Sequence, residues 1–173
     1  MMNRITLLLG ILTLFLGCQK EDNSPGFEMV YQEEFTIPAG IGAFVTHHFY
    51  FKNLSTRYPA LLDQYGKTNE DILRILTLQG ALTGIFGDVN FNVVEEASLR
   101  VYQESNPNDY IEVAYRYPTP IDASNTLDLI PSLADSKRIM ANDRFSFDLA
   151  LRLRNTTPDE MPTRLSLKLK ANY

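Results

Sequence analysis

The sequence predicts an all-β protein: an antiparallel β-sandwich of about eight or nine strands with two or three short helices. Three observations carry that expectation. Apolar residues recur with a period of two through most of the chain, as they do in strands that bury one face. Clusters of Gly, Pro and Asn interrupt the pattern at the spacing of short strands joined by turns. With 45% apolar residues, 10 Phe and 9 Tyr, the chain has bulk enough for one core, and its single Cys allows no disulfide to substitute for that core.

Taken in order, Phe27, Met29, Tyr31, Phe35 and Ile37 define a first strand. Val45, His47, Phe49 and Phe51 define a second, with Pro38, Gly40 and Gly42 turning between them. Residues 59–65, closed by Gly66, form a turn of helix, and Thr68 with Asp71 three positions on resembles a capping box opening another helix over Ile72, Leu73, Ile75 and Leu76. Strands at 81–86 and 89–94 flank Gly87 and Asp88, and a strand at 97–103 follows. Asn106, Pro107, Asn108 and Asp109 turn into a strand at 110–117, and residues 127–130 form a short one. Ser132 with Asp135 caps a helix running to about Ala141, and the helices are expected to plug the ends of the sandwich.

The C-terminal segment has the clearest alternation. Phe145, Phe147, Leu149, Leu151 and Leu153 alternate with polar or small residues, and so do Leu165, Leu167, Leu169, Ala171 and Tyr173. Residues 155–162 supply turn formers between the two runs, so the expectation is a long terminal hairpin with an aliphatic inner face. Arg152, Arg154, Arg164, Lys168 and Lys170 then share the outer face of neighbouring strands, a candidate binding face for an acidic polymer. The competing role for these cations is to guard a sheet edge against pairing with other chains.

The N-terminus is of a different kind. Arg4, the apolar run at residues 5–16 and the small Gly17 before Cys18 have the three parts of a secretory signal, and the run is too short to span a bilayer. Leu14, Phe15, Leu16, Gly17 and Cys18 resemble the lipobox of bacterial lipoproteins, with Phe15 and Leu16 standing where the usual pattern has leucine and a small residue. Gln19, Lys20, Glu21 and Asp22 resemble the surface-export signal of Bacteroidetes lipoproteins. The resemblance covers residues 1–23 and implies cleavage before Cys18, diacylglycerol on its thiol, acylation of the new amino terminus and display on the outer membrane facing the medium. The implied organisation is a signal peptide at 1–17, a lipidated cysteine and tether at 18–26, and a single domain at 27–173. Two or more acyl chains anchor stably where one binds marginally.

Composition and motifs narrow the function. A net charge of −5 disfavours nucleic acid, whose non-specific affinity comes from neutralising phosphates. His47 and His48 are the only histidines, and adjacency in a strand sends them to opposite faces, so no zinc site is expected and haem is only a remote ligand. Asp88, Asn90 and Asn92 match the first half of a calcium loop, but Val93 and Leu99 stand where its glycine and glutamate belong. Gly66, Lys67 and Thr68 lack the earlier glycine of a phosphate loop, which is Leu61 here. No nucleophile elbow or zinc-protease helix occurs, and the adjacent pairs Glu33–Glu34 and Glu95–Glu96 diverge on strands. No enzyme and no cofactor are expected. Trp is absent, leaving Tyr58, Tyr102 and Tyr110 as candidates to stack on a carbohydrate. The expected function is a lipid-anchored scaffold, adhesion or interaction module whose partner is an envelope protein or surface polymer. The alternative is an accessory lipoprotein of an uptake system that binds a glycan or haem.

Overall fold

A computed structural model describes residues 24–86 and 89–173. The expected signal peptide, Cys18 and its neighbours Gln19, Lys20, Glu21 and Asp22 lie outside the described residues, as do Gly87 and Asp88. Eight strands are formed: β1 (Gly26–Ile37), β2 (Thr46–Ser55), β3 (Arg74–Gly84), β4 (Val94–Gln103), β5 (Asn106–Arg116), β6 (Thr126–Pro131), β7 (Arg144–Leu153) and β8 (Met161–Asn172). Among the described residues two short helices, α1 (Tyr58–Tyr65) and α2 (Lys137–Met140), and a 3-10 turn at Phe91–Val93 join them.

The strands make two four-stranded antiparallel layers, β1-β8-β3-β6 and β5-β4-β7-β2, linked along one side by a brief β5–β6 pairing. β1 pairs with β8, β2 with β7, β3 with β6 and β4 with β5. Each strand thus meets the one whose number brings the sum to nine, as in a long double ribbon rolled upon itself. That order, in two sheets, is a jelly roll. The all-β sandwich expected from the alternation is present, and the alternating residues of β1, β7 and β8 face inward as their pattern requires.

The core is a single cluster between the layers, from Phe27 and Met29 on β1 to Leu167 and Leu169 on β8. Aromatic rings lock the two layers together: Tyr31 of β1 meets Phe145 and Phe147 of β7 edge-on at centroid distances of 4.9 and 6.1 Å. Phe35 meets Phe49 and Phe51 of β2 at 4.9 and 5.5 Å. The Tyr31 hydroxyl donates to the Thr56 carbonyl oxygen at 2.7 Å, so this polar atom enters the core with its partner in place.

The terminal hairpin is overturned. β7 and β8 are consecutive and well patterned, yet they lie in opposite sheets, β7 between β4 and β2 and β8 between β1 and β3. The connection that carries the chain across is fastened at Thr157, which is buried, accepts from the Ile41 amide at 3.1 Å and donates from its hydroxyl to the Pro38 carbonyl oxygen at 2.7 Å. Arg154 adds hydrogen bonds to the carbonyl oxygens of Asn92 and Thr119, tying three loops at this end.

Other local expectations are also corrected. Asp71 accepts from the Thr68 amide at 2.8 Å as a capping box would, but only a turn forms, because the residues that follow pair with β8 from Arg74 onward. Residues 89–93 form a loop and a 3-10 turn rather than a strand, with Asn90 Oδ1 accepting from the Asn92 amide at 3.0 Å. The turn into β5 falls at Glu104 and Ser105, so Asn106 to Asp109 already belong to the strand. α2 is a single turn begun at Ser136, since Asp135 accepts from the Ile75 amide and thereby binds the loop to β3. α1 is as expected, ending at Gly66 in the left-handed conformation that a residue with no Cβ adopts freely.

The start of β1, the end of β8, α1 and α2 share one end of the sandwich; the segments at 38–45, 85–86, 89–93, 117–125 and 154–160 share the other. Ser24 is bound at the first end, its hydroxyl donating to Asn172 Oδ1 at 3.0 Å, and the Tyr173 amide donates to the Pro25 carbonyl oxygen at 3.1 Å.

Two stability measurements test this description. Leu151, wholly buried on the inner face of β7, replaced by Asp places an unpaired charge in the core, and urea unfolding should lose about 3–5 kcal/mol. An unchanged midpoint would refute the facing of β7. Burial holds the Tyr31 hydroxyl far above its ordinary value of 10.0, the nearby Arg57 opposing this in part. The folded state therefore binds this proton more tightly than the unfolded chain does, so its contribution is complete below about pH 10 and drains away as pH rises further. Tyr31→Phe should cost about 1 kcal/mol at neutral pH and should flatten the alkaline fall in stability, read as melting temperature from pH 8 to 11.5.

Candidate ligand-binding groove

The outward face of the β2-β7-β4-β5 layer carries the most organised set of polar side chains. Register creates it. Tyr50 stands opposite Asp148, Asp148 opposite Arg100, and Arg100 opposite Glu112, so one row crosses all four strands. β7 presents Ser146, Asp148 and Ala150 on this face, all short side chains, and the longer ones of β2 and β5 rise on either side. The result is a cavity of about 370 Å³ over Arg100 and Asp148, rimmed by Tyr50, Lys52, Glu104 and Tyr110.

Its floor is held by mutual contacts. Asp148, nearly buried, receives His48 Nδ1 at 2.8 Å on one carboxylate oxygen and lies 3.9 Å from the Arg100 guanidinium on the other. Arg100 Nε donates to the Ser98 hydroxyl at 3.2 Å, and that hydroxyl donates to Glu112 at 2.5 Å. The Arg100 guanidinium also packs against the ring of Tyr110, 4.6 Å from its centroid. On the β2 side the His48 and Tyr50 rings stack at 5.8 Å, and Lys52 reaches Glu104 at 3.9 Å. Glu104 in turn accepts from the Ser146 hydroxyl at 2.7 Å. Burial raises the Tyr102 hydroxyl above the usual phenol range, and Glu104 adds to the effect while the Ser146 contact opposes it, so this rim hydroxyl keeps its proton.

The five cations singled out in the sequence do not form one surface. Arg152 belongs to the β7 layer, Arg154 to the loop that follows it, where it bonds to carbonyl oxygens, and Arg164, Lys168 and Lys170 to the β8 layer on the opposite side of the molecule. Acidic neighbours offset most of this charge: Arg152 meets Glu95 and Glu96 at 3.3 and 3.1 Å, Arg164 meets Glu34 at 2.6 Å, and Lys168 meets Glu28 at 3.2 Å. Lys170 stands opposite Glu28 in the β1–β8 register. The candidate cationic face is therefore corrected to two separate sheet surfaces, largely salt-bridged, and a loop arginine.

Of the three tyrosines considered for stacking, Tyr102 and Tyr110 line the groove, whereas Tyr58 is core, its hydroxyl donating to Asn69 at 2.9 Å. The two histidines point to opposite faces: His47 Nε2 lies 2.8 Å from the Gly42 carbonyl oxygen, and His48 joins the groove floor. Among the described residues no three His, Cys, Asp or Glu side chains gather as a metal would need. Sequence reasoning missed Tyr50, Arg100 and Asp148. Their signal is present as the polar parity of three strands, but it becomes a site only when β7 is known to lie between β2 and β4.

The far end holds a larger depression, about 820 Å³, between Phe86 and Val89 on one side and Pro158 to Pro162 on the other. Phe44, Val45, Phe86 and Ile121 are exposed on loops of this end. The walls here are mostly loops, with only the start of β8 contributing strand, whereas the groove stands on hydrogen-bonded strands that fix side chains more tightly.

No protein family and no curated protein matches the sequence. Among solved structures, the chain is similar to one from infectious bursal disease virus, Gt strain, at 16% identity and a TM-score of 0.36, covering 90% of this chain and 35% of that one. It is also similar to one from Desmodium yellow mottle tymovirus, at 8% identity and a TM-score of 0.26, covering 88% of this chain and 90% of that one. At such scores the fold rests on the strand order itself.

Removing the central acid should loosen the groove. Asp148→Ala deprives His48 and Arg100 of their shared partner, and unfolding in urea should show a loss of about 1–3 kcal/mol. A loss below the error of the measurement would mean that the Asp148 contacts do not hold the floor together.

Proposed function

We propose that this chain is a lipid-anchored module of the bacterial outer membrane, facing the medium, that works by binding and not by catalysis. The observation that carries the reading is the groove above Asp148 and Arg100: concave, rimmed by tyrosines, built on strands and held in shape by its own hydrogen bonds. Such a cavity, with convergent polar groups between aromatic walls, has the form of a small-ligand site. It favours the accessory-lipoprotein reading over a bare scaffold.

The arrangement of potential catalytic groups supports the non-catalytic part. His48 and Asp148 form a pair that a nucleophilic serine would complete. Ser98 is the serine in register, but β7 stands between it and His48, which separates them by about 9–10 Å at ordinary strand spacing. Its hydroxyl is already given to Glu112.

The anchor suits this arrangement. Cys18 precedes Ser24 by six residues, a tether that reaches about 20 Å at full extension. Ser24 is bound at the end of the sandwich where β1 starts, so the loops of the other end point away from the membrane and the groove opens sideways. A second reading, docking of an envelope protein on the apolar loop tips, is favoured by Phe44, Val45, Phe86 and Ile121 alone.

The anchor is tested by metabolic labelling. Cells fed a clickable palmitate analogue should label the wild-type chain, and Cys18→Ser should abolish the label and release the protein from the membrane fraction. Labelling that survives the substitution would refute the anchor. Protease added to intact cells should digest the domain if it faces the medium, and its protection would assign it to the periplasm.

A further inference from the structure

We infer that the groove takes a neutral glycan, binding sugar rings through their hydroxyl pairs over Arg100 and Asp148 and against the rim at Tyr50 and Tyr110. This inference rests on the binding role proposed above and assigns the ligand class. Charge is the first argument. The lining places two cations, Lys52 and Arg100, beside two carboxylates, Glu104 and Asp148, each cation within 3.9 Å of one carboxylate. A charged ligand of either sign would meet one like-charged member of each pair, Lys52 and Arg100 or Glu104 and Asp148. An uncharged ligand meets no uncompensated field.

Hydrogen-bond chemistry is the second argument. Guanidinium and ammonium groups only donate, and carboxylates only accept. A site offering both within one small cavity is matched by hydroxyls, which donate and accept at once, and vicinal hydroxyls span adjacent groups as the Arg100–Asp148 pair requires. The floor is also already set: His48 and Ser98 fix Asp148 and Arg100 before a ligand arrives, so little ordering cost remains at binding.

Shape is the third. Tyr50 and Tyr110 stand half exposed on opposite sides of the floor, on β2 and β5, and give amphipathic walls for the apolar C–H faces of a pyranose. The edge strand β2 contributes a further feature: its bulge at Lys52 and Asn53, where Asn53 adopts φ 57°, turns Lys52 toward Glu104 and closes one flank.

The test uses the full lipidated chain in detergent and native affinity electrophoresis in gels containing one polysaccharide each. Laminarin, yeast mannan and galactomannan are the neutral probes, and alginate and polygalacturonate the anionic ones. Retardation by at least one neutral probe is expected, with Tyr110→Ala and Tyr50→Ala each weakening affinity about five- to tenfold and Tyr110→Phe staying within about twofold. Circular dichroism on each variant separates loss of binding from loss of fold. Retardation by anionic probes alone, sensitive to Tyr110→Ala, would overturn the neutral-glycan assignment and leave the groove as a binding site. Retardation by none, or retardation indifferent to both tyrosine substitutions in folded variants, would overturn the assignment and the groove reading together.

Discussion

The structure depends on β7 being buried on both faces. Its inner side chains, Phe145, Phe147, Leu149, Leu151 and Leu153, fill the centre of the core, and its outer ones, Ser146, Asp148 and Ala150, are covered by side chains from the strands beside it. Burial of five large apolar groups supplies a large share of the driving force for closing the two layers. The same strand places an acid where it is nine-tenths shielded, and such a group persists only with partners. His48 and Arg100 are those partners, so the requirement that stabilises the fold also assembles the groove floor.

The two faces of β7 are coupled by geometry. A slip of one residue against β2 or β4 would turn Asp148 into the core and Phe147 into the groove. Register is set instead by the interlayer rings, since Tyr31 engages both Phe145 and Phe147 from the opposite sheet. Irregularity falls instead in the neighbouring pairings, at the β2 bulge between Phe51 and Leu54 and in the β4–β5 pairing beside Arg100.

How much of this was legible in the sequence follows from the range of each interaction. Alternation is local, and it placed Leu149 and Leu167 inward correctly. Partner choice is not local. The seven residues between Leu153 and Met161 can turn back beside β7 or cross to the other layer with equal turn chemistry, and Thr157, buried against the 38–41 loop, fastens the crossing. The same holds at Asp71, whose bond to Thr68 is helix-like, while the strand that follows is dictated by β8 about one hundred residues later. The groove suffered most, because Tyr50, Arg100, Tyr110 and Asp148 come from four separate strands and no spacing in the chain joins them. Tyr102 and Tyr110 were visible as aromatic residues on an otherwise polar stretch; the acid and the arginine beneath them were visible only as ordinary charged strand residues.

The pairing of first strand with last has a consequence for biogenesis. β1 has β8 as its hydrogen-bonded neighbour and β2 has β7, so the earliest segments to leave the ribosome find no mate until the latest have been synthesised. Long-range pairing of this kind is slow to nucleate because a large loop must close first. Closure of the two layers therefore comes late, set by the arrival of β7 and β8.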